Sequence, residues 1–262
     1  MSAIITSIYN CPVKSISFQN IEKCKINKSI GIEGDRVFAF SQNLDLDQSK
    51  EFEKNPEARK GKWNKIVTLK NTPVFNKYNF SNEDNKLTLT LKDKEIISIN
   101  INNFDERDDL AKKLIELESS LKNDIRLMRN DEHPFYDTSI SNKSMFNNSI
   151  SLININSIRD FENKIDRKIE MSTFRGNLYF DGMEAWEERN WIGKTLKINN
   201  VLFKVEKNIP RCVAINLKPK TDDNSFNLLK ILKQTYDHYE MGVYLTPEND
   251  GEINLSEKIH IK

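Results

Sequence analysis

The sequence predicts a mostly-β α+β protein, and three observations carry that prediction. Apolar and polar residues alternate with period two through most of the first hundred positions, the pattern of half-buried strands. One long segment, from Phe104 to Leu121, switches to helical spacing. After it, short strand-like runs return with helices inserted irregularly between them, which favours an α+β or barrel-like design over a doubly wound parallel sheet.

The alternating runs are Ile4 to Tyr9, Ile21 to Ile26, Trp63 to Leu69, Val74 to Phe80, Leu87 to Leu91 and Ile97 to Ile101, separated by Asn-, Asp- and Gly-rich turns. Each is read as a strand. In the helical segment Leu110, Leu114, Ile115, Leu117 and Leu121 fall on one face, and the acids from Asp105 to Asp109 suit the positive end of a helix dipole. The helix is expected to end near Asn123. The polar stretch Arg129 to Asn148, with His133-Pro134 and many Ser and Asn, reads as a linker or long functional loop. Beyond it, Ile150 to Ile155, Leu178 to Phe180, Thr195 to Ile198, Val201 to Val205 and Val213 to Leu217 are expected strands. Ser157 to Ile165 and Phe226 to Leu232 are expected helices. This order divides the chain into a β-rich unit at 1–122 and a second unit at 123–262.

Composition narrows the function. The chain has 262 residues, of which 37% are hydrophobic, enough for a substantial core. Forty Lys and Arg face 39 Asp and Glu, for a formal net charge of +1, so no global field recruits polyanions. Basic residues are interleaved with acids and form no stripe, which argues against a nucleic-acid surface. The longest apolar runs are four residues, as in Val37 to Phe40, far below the roughly 20 that span a membrane. The start lacks the basic and apolar regions of a secretory signal, so a cytoplasmic protein without a membrane partner is expected. Cys11, Cys24 and Cys212 show no C-x-x-C spacing and His133, His238 and His260 lie far apart, so a disulfide framework or a contiguous metal motif is not expected. No G-x-G-x-x-G or Walker loop occurs among the eight glycines.

Four segments carry candidate chemistry. Cys11-Pro12-Val13-Lys14-Ser15 places a cation and a hydroxyl at a strand end stiffened by proline, a pair suited to an anionic oxygen. Gly31 to Arg36 is a glycine-punctuated turn that delivers Arg36, whose planar fork matches a phosphate. Phe174-Arg175-Gly176-Asn177 pairs a guanidinium with an amide able to donate and accept. Pro210-Arg211-Cys212 sets a thiol beside a cation, which favours the thiolate that attacks electrophiles or binds soft metals. Adjacent residues of a strand point to opposite faces, which counts against direct Arg211–Cys212 contact, and the alternative for Cys212 is a small buried core residue. In Glu184 to Trp191, acids alternate with Trp186 and Trp191. An amphipathic helix that packs the tryptophans and exposes the acids is the favoured reading over a substrate wall or proton source.

In order, P-V-K-S, G-x-x-G-D-R, F-R-x-N, the acid-and-tryptophan segment, I-P-R-C and M-G-V-Y resemble the MOSC family of molybdenum-cofactor proteins. The version with an N-terminal β-rich domain, as in the mitochondrial amidoxime-reducing component and the YcbX-like bacterial proteins, is most similar. The resemblance implies a MOSC β-barrel domain over 123–262 behind an N-terminal MOSC-type domain over 1–122. It implies that Cys212 is the protein ligand of molybdenum, and that Lys14 and Ser15 contact the pterin and its phosphate. Arg36, Arg175, Asn177 and Arg211 match further cofactor-contacting positions. Asn148 and Ser149 stand where family members carry an Asp-x-x-Pro or Ser-rich segment, and Met241 and Cys11 replace a more usual phenylalanine and tyrosine. The implied cofactor is Mo-molybdopterin. The implied activity is reduction of small N-hydroxylated substrates such as hydroxylamines or amidoximes, with electrons from a separate flavin or iron–sulfur partner. A non-catalytic cofactor carrier or sulfur-transfer protein would use the same cations.

Overall fold

The structure is a computed structural model that describes residues 2–16, 18–121, 124–136 and 148–262. Most of the expected long loop, 137–147, and the expected helix end near Asn123 lie outside the described residues. The chain runs through β1 (Ile4–Asn10), β2 (Gln19–Ile21), β3 (Lys23–Asn27), β4 (Gly31–Ile32), β5 (Phe38–Ser41), α1 (Leu46–Lys54), β6 (Tyr78–Glu83), β7 (Lys86–Leu91), β8 (Lys94–Asn100), α2 (Phe104–Leu117) and β9 (Arg126–Arg129). It continues through β10 (Ile150–Asn154), α3 (Ile155–Ile165), β11 (Leu178–Asp181), β12 (Thr195–Ile198), β13 (Val201–Pro210), α4 (Leu228–Tyr236), β14 (Glu240–Pro247), β15 (Gly251–Asn254) and β16 (Ile259–Ile261).

An eight-stranded sheet in the order β16-β12-β13-β14-β10-β11-β1-β2 dominates the fold. Strands from both ends of the chain therefore share one sheet, with β1 antiparallel to β11. The sheet curls into a half-barrel. Its margins approach where Ile5 donates to Glu257 (2.9 Å), Ser256 donates to Ile5 (2.8 Å) and Ile259 donates to Ala3 (2.9 Å). Only the isolated bridge Ile4–Lys258 joins them as paired strands, and no ladder among the described residues closes the expected barrel.

Period two explains how this sheet is buried on both faces. Along β11, Leu178 and Phe180 enter the core inside the curl with Trp191, Phe203 and Val205, while Tyr179 enters a second core under α3 and α4. β14 changes face at Gly242 (φ 77°), where the ladder to β13 is irregular: Met241 enters the second core, while Val243 and Leu245, of the same parity, enter the first. Such strands read as near-continuous apolar runs in sequence. The hairpin sheet β6-β7-β8 and α2 build a third core around Phe38, Phe75, Leu89 and Leu114. α2 begins where the Asn103 side chain accepts from the Asp105 and Glu106 amides, with those acids in its first turn as the dipole argument requires.

Three expected strands are different structures. At Trp63 to Leu69 a 3-10 turn over Trp63–Lys65 is followed by Ile66 and Val67, adjacent and both buried, which breaks strand alternation. The chain then turns at Asn71, whose side chain accepts from the Thr68 amide (2.8 Å) and donates to Ile66 (2.9 Å). Val74 to Phe80 starts as a 3-10 helix, Pro73–Lys77, because Pro73 has its φ preset and no amide to give a ladder; strand begins at Tyr78. Val213 to Leu217 is a 3-10 helix over Val213–Asn216, and the strand of that region precedes it as β13.

Candidate functional site

The P-V-K-S and G-D-R segments are neighbours because their backbones pair. Lys14 donates to Phe38 (2.7 Å), Phe38 to Pro12 (3.0 Å) and Arg36 to Cys11 (2.6 Å). Asp35 locks the junction: one carboxylate oxygen accepts from the Cys11 amide (2.7 Å) and the other accepts from the Arg36 guanidinium. Cys11 itself is fully buried, and that burial raises its thiol pKa. Ser15 and Arg36 both hold left-handed backbone (φ 65° and 55°), a conformation uncommon outside glycine. Arg175, which ends the 3-10 turn Met171–Phe174, does the same (φ 52°). Three strained residues turned toward one place indicate that surrounding contacts over-determine them.

Phe18 supplies one of those contacts. Its ring lies 5.6 Å from the Arg36 guanidinium and 4.9 Å from that of Arg175, so one aromatic face system separates two like charges. Tyr136 covers Arg36 from another side at 5.3 Å. Burial lowers the Arg175 pKa from its ordinary value, Cys11 opposes that shift, and the nearby Arg36 adds to it. Two guanidiniums held this close and desolvated favour an anion between them and solvent.

Arg211 and Cys212 leave the end of β13 together. Arg211 Nη1 donates to Phe174 O (2.6 Å) and Nε to Met241 O (3.0 Å), and Nη2 also donates to Met241 O. Its guanidinium therefore fastens three segments: the turn bearing Arg175, the start of β14, and the loop bearing Cys212. Its amide donates to Tyr239 O (2.8 Å), completing the attachment. Cys212 sits at the head of the following 3-10 helix and is exposed, whereas Cys11 and Cys24 are buried.

These groups line a single cavity of about 600 Å³. Its wall includes Lys14, Ser15, Arg36, Arg175, Arg211 and Cys212, so six of the residues singled out from sequence converge. Lys70 and Lys207 raise the lining cations among the described residues to six, and no described Asp or Glu is part of the wall. The turn Thr68–Asn71 forms one side, and Tyr244 of the M-G-V-Y segment another. A wall this cationic, with one exposed thiol, fits a ligand of several negative charges that also offers a soft metal. Among the described residues no cluster of three His, Cys, Asp or Glu could hold an ion, so a metal at Cys212 would draw its other donors from its ligand.

Three of the residues singled out from the sequence do not line this cavity. Asn177 is buried in the sheet, where its Oδ1 accepts from Ser151 Oγ (2.8 Å), its amide donates to that Oγ (2.8 Å) and its Nδ2 donates to Tyr9 O (3.2 Å). It registers β1 against β10 and does not line the cavity. Asn148 donates to Lys28 O, away from the wall, and Ser149 is buried beside it. In Glu184 to Trp191, a 3-10 helix over Glu187–Trp191 packs Trp191 as expected but also buries Glu188 completely. Its carboxylate accepts from Ser157 Oγ (2.9 Å) and Asn154 Nδ2 (3.1 Å), and Trp186 donates to Asp160 (2.8 Å).

Residues 136–260 match the MOSC domain family. Mitochondrial amidoxime reducing component 2 of Rattus norvegicus is 36% identical over 72 residues, 28% of this chain and 21% of that protein, so the aligned part spans about a fifth of that relative's length. Among solved structures, the YuaD protein from Bacillus subtilis aligns with 100% of this chain and 96% of its own at a TM-score of 0.44 and 10% identity. YiiM from Geobacillus stearothermophilus aligns with 43% of this chain and 53% of its own at a TM-score of 0.35 and 18% identity. No helix among the described residues is long and apolar enough to cross a membrane.

Proposed function

Starting from the MOSC domain matched by residues 136–260, we propose that the cavity holds a molybdenum cofactor and that the protein reduces small N-hydroxylated compounds. One observation carries this reading: six cations, with no acid beside them in the wall among the described residues, converge on the exposed thiol of Cys212. Cys212 is the protein's ligand to the metal, a soft donor for a soft centre. Lys14, Arg36 and Arg175 neutralise the phosphate, with Ser15 as a hydroxyl partner, and the left-handed backbones of Ser15, Arg36 and Arg175 fix their direction before the ligand arrives. Arg211 adds charge while holding the Cys212 loop to its neighbours.

When bound, the group supplies two-electron chemistry, by which an N–OH compound, two electrons and two protons give the N–H compound and water. The chain's own task is to bind, orient and shield. The rat relative is named a component of a reducing system, and we take the electron donor here to be a separate flavin or iron–sulfur protein, with both acting in the cytoplasm.

The test is turnover. Protein from a cofactor-competent host, given an artificial low-potential donor, should oxidise that donor in proportion to added benzamidoxime and release benzamidine. Bound cofactor without turnover on any hydroxylamine or amidoxime would sink the reductase reading and leave a cofactor carrier.

A further inference from the structure

Two lysines of the wall, Lys70 and Lys207, fall outside every segment matched to cofactor contacts, and the fold goes to some length to put one of them there. β13 and β14 pair with Val205 opposite Leu245 and then, after a bulge, with Lys207 opposite Tyr244. An unbroken antiparallel ladder would set Glu206 opposite Tyr244, because pairing advances one residue at a time. Opposed residues share a face, so the bulge decides whether a carboxylate or an ammonium stands beside Tyr244 at the cavity. It selects the ammonium. Lys70 is delivered by a turn of comparable definition, closed by Asn71 N to Thr68 O (3.1 Å), Thr72 N to Thr68 O (2.8 Å) and the Asn71 side chain on the Thr68 amide (2.8 Å).

Charge supplies the second argument. A phosphate monoester carries about −1.5 to −2 at neutral pH, and a thiolate at Cys212 adds one more. The wall's six cations outnumber these charges even with Asp35 taking up part of Arg36's. A low-dielectric cavity with excess positive charge and no acid in its wall among the described residues favours a further anion.

We infer that Lys207 and Tyr244, with Lys70 at the rim, form a subsite for an anionic group of the substrate, so that the preferred substrates are N-hydroxylated compounds bearing a carboxylate or phosphate. The inference rests on the reductase reading for the word substrate, but the subsite is a property of this wall. An ammonium and a phenol hydroxyl on one face can both donate to a carboxylate, and charge-assisted bonds of this kind separate charged from neutral ligands by on the order of tenfold or more.

The experiment compares benzamidoxime with 4-carboxybenzamidoxime on the purified holoprotein, by kcat/KM with reduced methyl viologen and by calorimetric Kd. The carboxylated compound should be preferred about tenfold or more in both. Lys207→Met should bring both ratios toward one, Lys207→Arg should restore them, and Lys70→Met should lower them partially. Because each ratio is taken within one variant, loss of folded or loaded protein cancels. Equal kcat/KM and Kd for the two compounds would overturn the subsite while leaving the reductase reading standing. Tighter binding of the carboxylated compound without turnover of either would do the reverse. A preference that survives Lys207→Met and Lys70→Met together would overturn the assignment to these residues.

Discussion

Replacing Arg211 with lysine keeps the charge and removes the fork, and the structure says how much that should cost. The guanidinium makes three donations to two buried carbonyls, Phe174 O and Met241 O, which lie on different segments. A single ammonium can serve one of these sites well. Loss of about two charge-assisted hydrogen bonds, each worth roughly 1.5–3 kcal/mol, gives at least about 3 kcal/mol. For a chain of this size that corresponds to a fall in Tm of about 6–12 °C. The assay is thermal unfolding of cofactor-free Arg211→Lys beside wild type, so that no ligand contact enters the comparison. A Tm within about 2 °C of wild type would refute the reasoning and return Arg211 to a purely ligand-directed role.

Other consequences follow from the same geometry. Burial raises the Glu188 pKa above its ordinary value, with Asn154 and Ser157 opposing. The native state therefore holds that proton more tightly than the unfolded chain, and the group's contribution to stability is complete below the ordinary glutamate range and lost as pH rises through the raised value. Urea unfolding from pH 4 to 7 should show wild-type stability declining relative to Glu188→Gln as pH increases; a constant difference would contradict the shift. Phe18→Leu removes both ring–guanidinium contacts, worth about 1–2 kcal/mol together, and should weaken calorimetric binding of inorganic pyrophosphate to cofactor-free protein roughly five- to thirtyfold. Phe18→Trp should preserve that binding. Gly242 has φ +77° and a Cβ there would lie 2.5 Å from Leu152 O, so Gly242→Ala should lower unfolding stability by roughly 2 kcal/mol or more in urea.

What could be read from sequence follows the reach of each signal. β1, β7, β8 and α2 were readable because one face of each meets a core, which imposes a period on the residues. α1 escaped notice because its buried residues are only Ser49 and Phe52, although the Asp45–Gln48 capping box is a local mark of its start. The loop after β13 misled because Val213 to Leu217 is apolar for a reason other than strand pairing: Ile215 and Leu217 pack into two different cores. At the site, Lys14, Arg36, Arg175 and Cys212 were legible through local chemistry, a cation or thiol beside a turn-forming proline or glycine. That Asn177 sits in the sheet and not in the cavity wall was not legible, because its amide satisfies a junction some 26 residues away in sequence at Ser151. Lys207 was illegible for a related reason. Its direction is set by a bulge that exists only in register with β14, and no feature of its own neighbours announces it. Glu188 looked like a solvated acid because its satisfying partners, Asn154 and Ser157, lie on another element.

The measurement that bears most directly on the central claim is the molybdenum and pterin content of protein purified from a cofactor-competent host, beside Cys212→Ala prepared identically. The account predicts near-stoichiometric metal and pterin in the wild type and loss of metal in the variant, since Cys212 is the exposed thiol that faces the cationic wall. Wild-type protein without metal or pterin from such a host, or a variant that retains metal at wild-type level, would contradict it.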